Sequence, residues 1–246
     1  MEISAVEGLP EFTPGDSIAE AVESEYHISN NDVVCISSTI VSKVEGRITN
    51  FDTYQPSNRA KSIANNLEAD SRFVEAVLQE SDELLLESPF LLTVTSFGHV
   101  GPNAGIDRSN VPNADLLLLP ADPDNSAERI RDEFSTDPAV IITDTCGRPF
   151  RAGQRGVAIG YAGIPASRDW RGESDRDGRE LSATVEAVVD ELAAAANIVT
   201  GEGNGGTPVA VVSGFQFGDH DSSDQLYRDK DSDLIRQALQ TWNYEE

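Results

Sequence analysis

Apolar residues recur along this chain in two rhythms. Residues 2–7 alternate as a short strand, and NDVVCIS (31–37) is a near-continuous apolar run of the kind buried in a sheet. IVSKVEGRI (40–48) reads as a second alternating segment, which puts Lys43 on a strand. FLLTVTSF (90–97), Leu116 to Leu119, residues 139–143 and TPVAVVSG (207–214) complete the predicted strands. Helical spacing begins at Asp16, a capping residue, and runs to about Tyr26 with Ile18, Ala21 and Val22 on one face. Asn58–Leu67 and Ser71–Glu80 read as two more helices, and DPDNSAERIRDEF opens another after Pro123. The clearest helix is Gly178 to Val199, where Leu181, Val185, Val188, Leu192, Ala195 and Val199 repeat at three or four residues. Asp231–Trp242 has helix-like spacing, and GHVGPNAGIDRSNV (98–111) is loop. Strands alternate with helices, but there is no uniform βαβ period and no internal repeat. The predicted fold is mixed α/β, with two interleaved subdomains and no separating linker.

A chain of 246 residues, 39% of them hydrophobic, is long enough for a substantial core. Its formal net charge is -25, and lysine occurs only at Lys43, Lys61 and Lys230. The acidic residues are scattered over presumed helix surfaces, which suits a solvated surface in concentrated salt, as in halophilic cytoplasm. Such a balance speaks to solubility, and it disfavours nucleic acid as a partner. Cys35 and Cys146 are too few for a disulfide framework and do not form a zinc pattern. No leader pattern opens the chain and no apolar stretch approaches membrane-spanning length, so no membrane association and a cytoplasmic location are expected.

Against this acidic background, ITDTCGRPFRAGQRGVAIGYAGI gathers Arg148, Arg151 and Arg155 within eight residues. Asp144-Thr145 stands before them at an expected strand end, followed by a Gly-Arg-Pro turn. A carboxylate and a hydroxyl beside three guanidiniums suit a metal-bound, polyanionic substrate. Asn103, Asp107 and Asn110 lie in a polar loop, where such side chains ordinarily make turns. Asp107 and Asp144 together make a shared site for a hard cation more plausible.

GEGNGG matches G-x-G-x-x-G at Gly201, Gly203 and Gly206, but it follows a helix and precedes a strand, the reverse of the dinucleotide-binding order. It is either a helix cap with a loop or a backbone cradle for a nucleotide. No G-x-x-x-x-G-K-[ST] motif is present. Lys43 is either a surface lysine or a ligand contact. His27, His99 and His220 lack ligand spacing, though His99 adjoins the polar loop. Cys146 has no evident base and reads as packing. Trp170 lies on a charged loop as a lid or a contact residue.

SSTIVSKVEGR, NAGIDRSNV, LLLLPADPDNSAERIR, the DTCGRPFRAGQRG segment, the stretch from DWRGESDRDG to GEGNGGTPVAVVSG and the final DLIR, in this order, resemble the coenzyme F-420 γ-glutamyl ligases. The resemblance spans roughly residues 2–237. It implies one ligase domain over 1–246, with a central subdomain at roughly 85–175, and an intertwined homodimer of neither P-loop nor Rossmann type. It implies that GTP activates the carboxylate of a deazaflavin precursor as an acyl phosphate. The amine of L-glutamate then attacks, and a second glutamate follows through a γ-linkage. It also implies two Mn²⁺ or Mg²⁺ ions and help from K⁺. Asp107 and Asp144 resemble ligands of one metal, Thr145 and Glu202 of the other. Leu9, Pro10, Glu11, Phe12, Ser38, Thr39, Lys43, Asn110 and the stretch Thr200, Gly201, Glu202, Gly203, Asn204, Gly205, Gly206, Thr207 resemble the GTP contacts. Arg148, Arg151 and Arg155 would hold carboxylates or phosphates of the acceptor. Glu202 departs from the Gln or Lys expected there, and LPEF from a more apolar loop. A nucleotide- and metal-binding regulatory protein without chemistry is the competing class, against which Asp107, Asp144 and Thr145 together argue. An amide ligase for another acidic acceptor also stays open.

Overall fold

The computed structural model describes residues 1–109, 111 and 113–242. In chain order the strands are β1 (Glu2–Ala5), β2 (Val33–Ser37), β3 (Ile48–Thr49), β4 (Glu83–Leu86), β5 (Leu92–Val94), β6 (Val100–Pro102), β7 (Leu116–Leu117), β8 (Ala139–Arg148), β9 (Arg151–Ala162), β10 (Ser167–Asp169), β11 (Val185–Glu186), β12 (Val209–Ser213) and β13 (Asp221–Ser223). The helices are α1 (Ile18–Glu25), α2 (Ser38–Val44), α3 (Asn58–Leu67), α4 (Ser71–Gln79), α5 (Pro123–Glu133), α6 (Val188–Thr200) and α7 (Leu234–Gln240). The fold is mixed α/β, as the alternation of periods predicts.

The chain divides into two compact units. One joins residues 1–44 to 122–226, and the other joins 45–121 to the segment from Tyr227 onward. The inserted stretch is thus 45–121, where the sequence placed it at roughly 85–175. The long β8–β9 hairpin forms within the first unit, because β8 pairs there with β2.

In the first unit the sheet runs β1-β12-β2-β8-β9, with β2 and β8 parallel and the other neighbours antiparallel. Val33, Cys35, Ala139, Ile141, Ala158, Ala210 and Val212 share one buried cluster with Val188, Val189, Leu192, Ala193 and Ala196 of α6. Gly156 and Gly160 let helices approach β9: an added Cβ would lie 2.5 Å from the Ala193 carbonyl oxygen or 2.4 Å from the Pro123 carbonyl carbon. Ile142 pairs with Gly160 but Thr143 with Ala158, so β9 is bulged there and its side chains change face.

In the second unit, α3 and α4 bury Ala60, Ile63, Val74 and Val77 against Leu91, Ile106, Leu116 and Leu118. β4-β5-β6 and β3-β7 form its sheets. Lys230 and Arg236 both reach Glu83 on β4, which ties the C-terminal segment to this unit.

Several expected elements differ. Residues 38–44 are helical, so Lys43 lies on α2 and not on a strand. Ile40, Val41 and Val44 fit one helical face as well as an alternating strand, and β2 ends its ladder at Ser37. The long helix starts at Val188, not Gly178. Leu181 and Val185 hold helical spacing but belong to an extended segment, in which Leu181 N–H donates to Glu173 O and Trp170 N–H to Thr184 O. Gly147 and Arg148 continue β8, and the turn falls at Pro149 and Phe150. Ser17, not Asp16, caps α1 through Glu20 N–H, while Asp16 accepts from Thr13.

Candidate active site

The pairing of β2 with β8 ends at Ser37–Thr143, so Asp144 is the first residue of β8 beyond it. Its carboxylate Oδ1 accepts from the Ser38 hydroxyl at 3.3 Å, where α2 begins. Thr145, the next residue, faces the other way, as successive strand residues must. Its hydroxyl donates to Glu202 Oε1 at 2.9 Å, in the loop after α6. Asn197 Nδ2 donates to that same oxygen at 2.7 Å. The pleat of one strand thus sends two adjacent oxygen-bearing side chains into two settings.

The glycine-rich segment starts at the C-cap of α6, where Gly201 takes φ 69. Its residues 201–206 are exposed, and Thr207 closes the loop by donating from Oγ1 to Thr200 O at 3.1 Å. The helix cap of the first sequence reading is present, and the loop after it leaves its backbone exposed. Between β1 and α1, Phe12 is buried and Glu11 is exposed. Glu11 Oε2 lies 3.3 Å from the ammonium of Lys43, whose side chain is 10% exposed against 89% for the glutamate. Among the described residues that exposed carboxylate is the one ion-pair partner of this nearly buried cation, a setting that suits a further anion.

The arginines separate. Arg155 pairs with Asp190 of α6 at 3.2 Å, and Asp190 Oδ1 also accepts Ala158 N–H at 2.9 Å. Arg148 and Arg151 face each other at the hairpin end and make no ion pair among the described residues. Phe150 between them is 97% exposed. Cys146 faces Arg155 across the hairpin. Burial, and then the Asp144 carboxylate, push its thiol up from the ordinary range, which disfavours the thiolate.

Asp107 belongs to the second unit. Its backbone bridges Leu117, and its carboxylate accepts from the Ser109 N–H and hydroxyl at 2.8 Å. Asn110 lies outside the described residues. Thr39, beside Ser38, donates its N–H to the Ser37 hydroxyl at 3.3 Å. Of the other singled-out residues, His99 is buried in the second unit, against Phe97 and Tyr227. Trp170 donates its indole N–H to Glu186 at 2.8 Å and stacks obliquely on His220.

Among the described residues, no group of three or more His, Cys, Asp or Glu side chains could hold a metal ion by itself. The donors at Asp144, Ser38, Thr145 and Glu202 are nonetheless all oxygen. That chemistry fits Mg²⁺ or Mn²⁺ completed by water and phosphate.

The family model of the F420-0:Gamma-glutamyl ligases matches residues 8–214. The chain belongs to that family. A coenzyme F420:L-glutamate ligase of Haloarcula marismortui is 59% identical over 99% of both chains. The protein of that name from Natronomonas pharaonis is 58% identical, covering 100% of this chain and 98% of its own. The one from Archaeoglobus fulgidus is 47% identical over 97% of this chain and 98% of its own. As a member of this ligase family the chain is an amide-forming enzyme, and the regulatory alternative falls away. Two further residues belong to the site's surroundings, Asn197 and Asp190. Asn197 had a sequence signal: it is the one amide in the alanine-rich turn before the glycine loop, where alanine is the better helix former.

Proposed function

We propose that this chain is a GTP-dependent ligase that joins L-glutamate to the deazaflavin precursor of coenzyme F-420, and then a second glutamate through a γ-linkage. The observation that carries the reading is the full-length match to F420:L-glutamate ligases together with the pairing of Asp144 with Ser38 and of Thr145 with Glu202. The terminal phosphoryl group of GTP passes to the precursor's carboxylate, giving an acyl phosphate and GDP. The glutamate amine attacks the acyl carbon, phosphate leaves, and an amide forms. No protein nucleophile is needed; phosphoryl transfer asks chiefly for positioning and charge neutralisation.

Lys43 supplies a fixed positive charge for GTP phosphates, in exchange for Glu11. The open loop from Thr200 to Thr207, with Leu9–Phe12, Ser38, Thr39 and Asn110, lines the nucleotide. Arg148 and Arg151 hold anionic groups of the acceptor. Asp107 and Asp144 would hold one Mn²⁺ or Mg²⁺, and Thr145 and Glu202 a second. Such ions supply charge neutralisation on phosphate and carboxylate oxygens. The working form is a cytoplasmic homodimer aided by K⁺. Among the described residues no helix is long and apolar enough to cross a membrane.

The test is direct. Purified protein with deazaflavin precursor, glutamate, GTP and Mn²⁺ in concentrated KCl yields precursor carrying added glutamate, read by mass, with GDP and phosphate in equal amounts. Asp144→Asn keeps the fold and loses most turnover. A folded Asp144→Asn variant with wild-type activity at limiting Mn²⁺ removes Asp144 from the site. ATP supporting the reaction as well as GTP removes the nucleotide assignment.

A further inference from the structure

Glu202 sits on an exposed glycine loop, yet its side chain is held at one atom by two donors. The Thr145 hydroxyl reaches Oε1 at 2.9 Å from β8, and the Asn197 amide reaches the same Oε1 at 2.7 Å from α6. Gly156 makes the convergence possible. It is the cross-strand neighbour of Thr145, and a Cβ there would stand 2.9 Å from the Asn197 Cβ. A bare backbone at that point lets the last turn of α6 settle beside Thr145. With Oε1 doubly engaged, Oε2 has no hydrogen-bond partner among the described residues.

The choice of donors matters. A lysine or arginine at either position would pin the carboxylate but cancel its charge. A hydroxyl and an amide pin it and leave the full negative charge in place. Two neutral donors on one oxygen orient the other oxygen and keep it anionic, as outer-shell partners do for metal-ligating carboxylates.

We infer that Asn197 is a positioning residue for a divalent cation: with Thr145 it fixes Glu202 Oε1 so that Oε2 is presented as an anionic ligand. This rests on the assignment of Glu202 to a cation made above. It deepens that assignment by naming the residue that sets the carboxylate's orientation.

The test reads Mn²⁺ binding directly, by the electron paramagnetic resonance signal of free Mn²⁺, with no nucleotide or acceptor and in molar KCl. Asn197→Leu keeps similar bulk and removes the donor. It should weaken Mn²⁺ binding by about tenfold, the low end for loss of an outer-shell partner. Glu202→Ala should weaken the same class of site further while leaving measurable residual binding. In the Glu202→Ala background, Asn197→Leu should change nothing further, because its effect passes through the carboxylate. Asn197→Ala, which also removes the donor, serves the same cycle if the leucine variant fails to fold. Unchanged Mn²⁺ affinity in a folded Asn197 variant overturns the inference, and so does an effect that persists undiminished without Glu202. Absence of Mn²⁺ binding to the wild-type protein overturns it together with the cation assignment. Amide formation is assayed separately. An inactive protein with the expected Mn²⁺ cycle sinks the ligase reading alone, and an active ligase with additive Mn²⁺ effects sinks this inference alone.

Discussion

Arg151 and Arg155 stand four residues apart on β9 in different surroundings. Arg155 is spoken for: Asp190 holds its guanidinium at 3.2 Å, and that aspartate is itself anchored by Ala158 N–H. The pair is part-exposed, at 41% and 21% of the two side chains, so solvent screens it. Arg151, at the hairpin end beside Arg148, has no such partner among the described residues. One arginine cluster in the sequence therefore becomes two kinds of residue. Arg151→Ala should raise the acceptor's KM or lower kcat by roughly ten- to a hundredfold, the worth of one charge-assisted contact of about 1.5–3 kcal/mol. GTP affinity should hardly move. Arg155→Ala should instead cost up to about 1 kcal/mol of stability and leave the acceptor's KM within a few fold. Separate titrations of GTP and acceptor, with a melting curve for each variant, distinguish the two. Weaker GTP binding with intact acceptor binding in Arg151→Ala would reverse its assignment.

The elements that the sequence foretold well are those whose period had only one interpretation. β2, β12, α3, α4 and α5 lie within a few residues of their expected ranges because cap, length and apolar spacing agree. α2 was missed because seven residues are too few to separate a helical face from alternation, and its β-branched residues favour the strand. The start of α6 differs from the expected one because Leu181 and Val185 keep helical spacing by coincidence, while the backbone of Leu181 pairs with Gly172 and Glu173 and that of Val185 with Asp169. At the site, the Asp144–Thr145 pair, the arginines beside it and the glycine-rich loop are legible in the sequence. The Glu202–Asn197–Thr145 contact did not, since it depends on how closely a helix packs on a strand. That closeness is testable. Gly156→Ala forces a methyl to 2.5 Å from the Ala193 carbonyl oxygen, and backbone cannot yield as a flexible side chain does. The variant should lose about 1–3 kcal/mol, read in denaturation curves; a loss below that range means that α6 shifts freely. The cap of α4 offers a pH test. Hydrogen bonds from Arg72 hold the Asp70 carboxyl down at about 2. A depressed carboxylate stabilises the fold above its unfolded value near 4, and the contribution fades as pH falls towards 2. Asp70→Asn, which retains a capping side chain, should be less stable than wild type at pH 6, and the difference should vanish near pH 2. A difference that is constant with pH rules out the charge as its source.

The molecule as a whole carries 43 acidic against 18 basic residues, and many of the arginines are already paired. The remaining negative charge must repel itself. α5 shows how this acts locally. Asp124, Glu128 and Asp132 follow one another at four-residue spacing, which places like charges one turn apart. Burial, opposed by the Tyr161 N–H and reinforced by Asp122 and Glu128, raises the Asp124 carboxyl above its ordinary value. Such repulsion is strongest in dilute buffer and weakens as the screening length shrinks from about 10 Å at 0.1 M salt to about 3 Å at 1 M. The melting temperature should therefore climb steeply between dilute and molar KCl. Glu128→Lys inverts one charge between two acids of α5 and should raise the melting temperature most at low salt. The gain should shrink as KCl approaches molar concentration, because salt then does the same work. Sucrose separates this from general burial effects, since it strengthens burial without screening charge. A melting temperature that is flat in KCl, or a Glu128→Lys gain of equal size at every salt concentration, would show that the acidic surface is not what makes this fold salt-dependent.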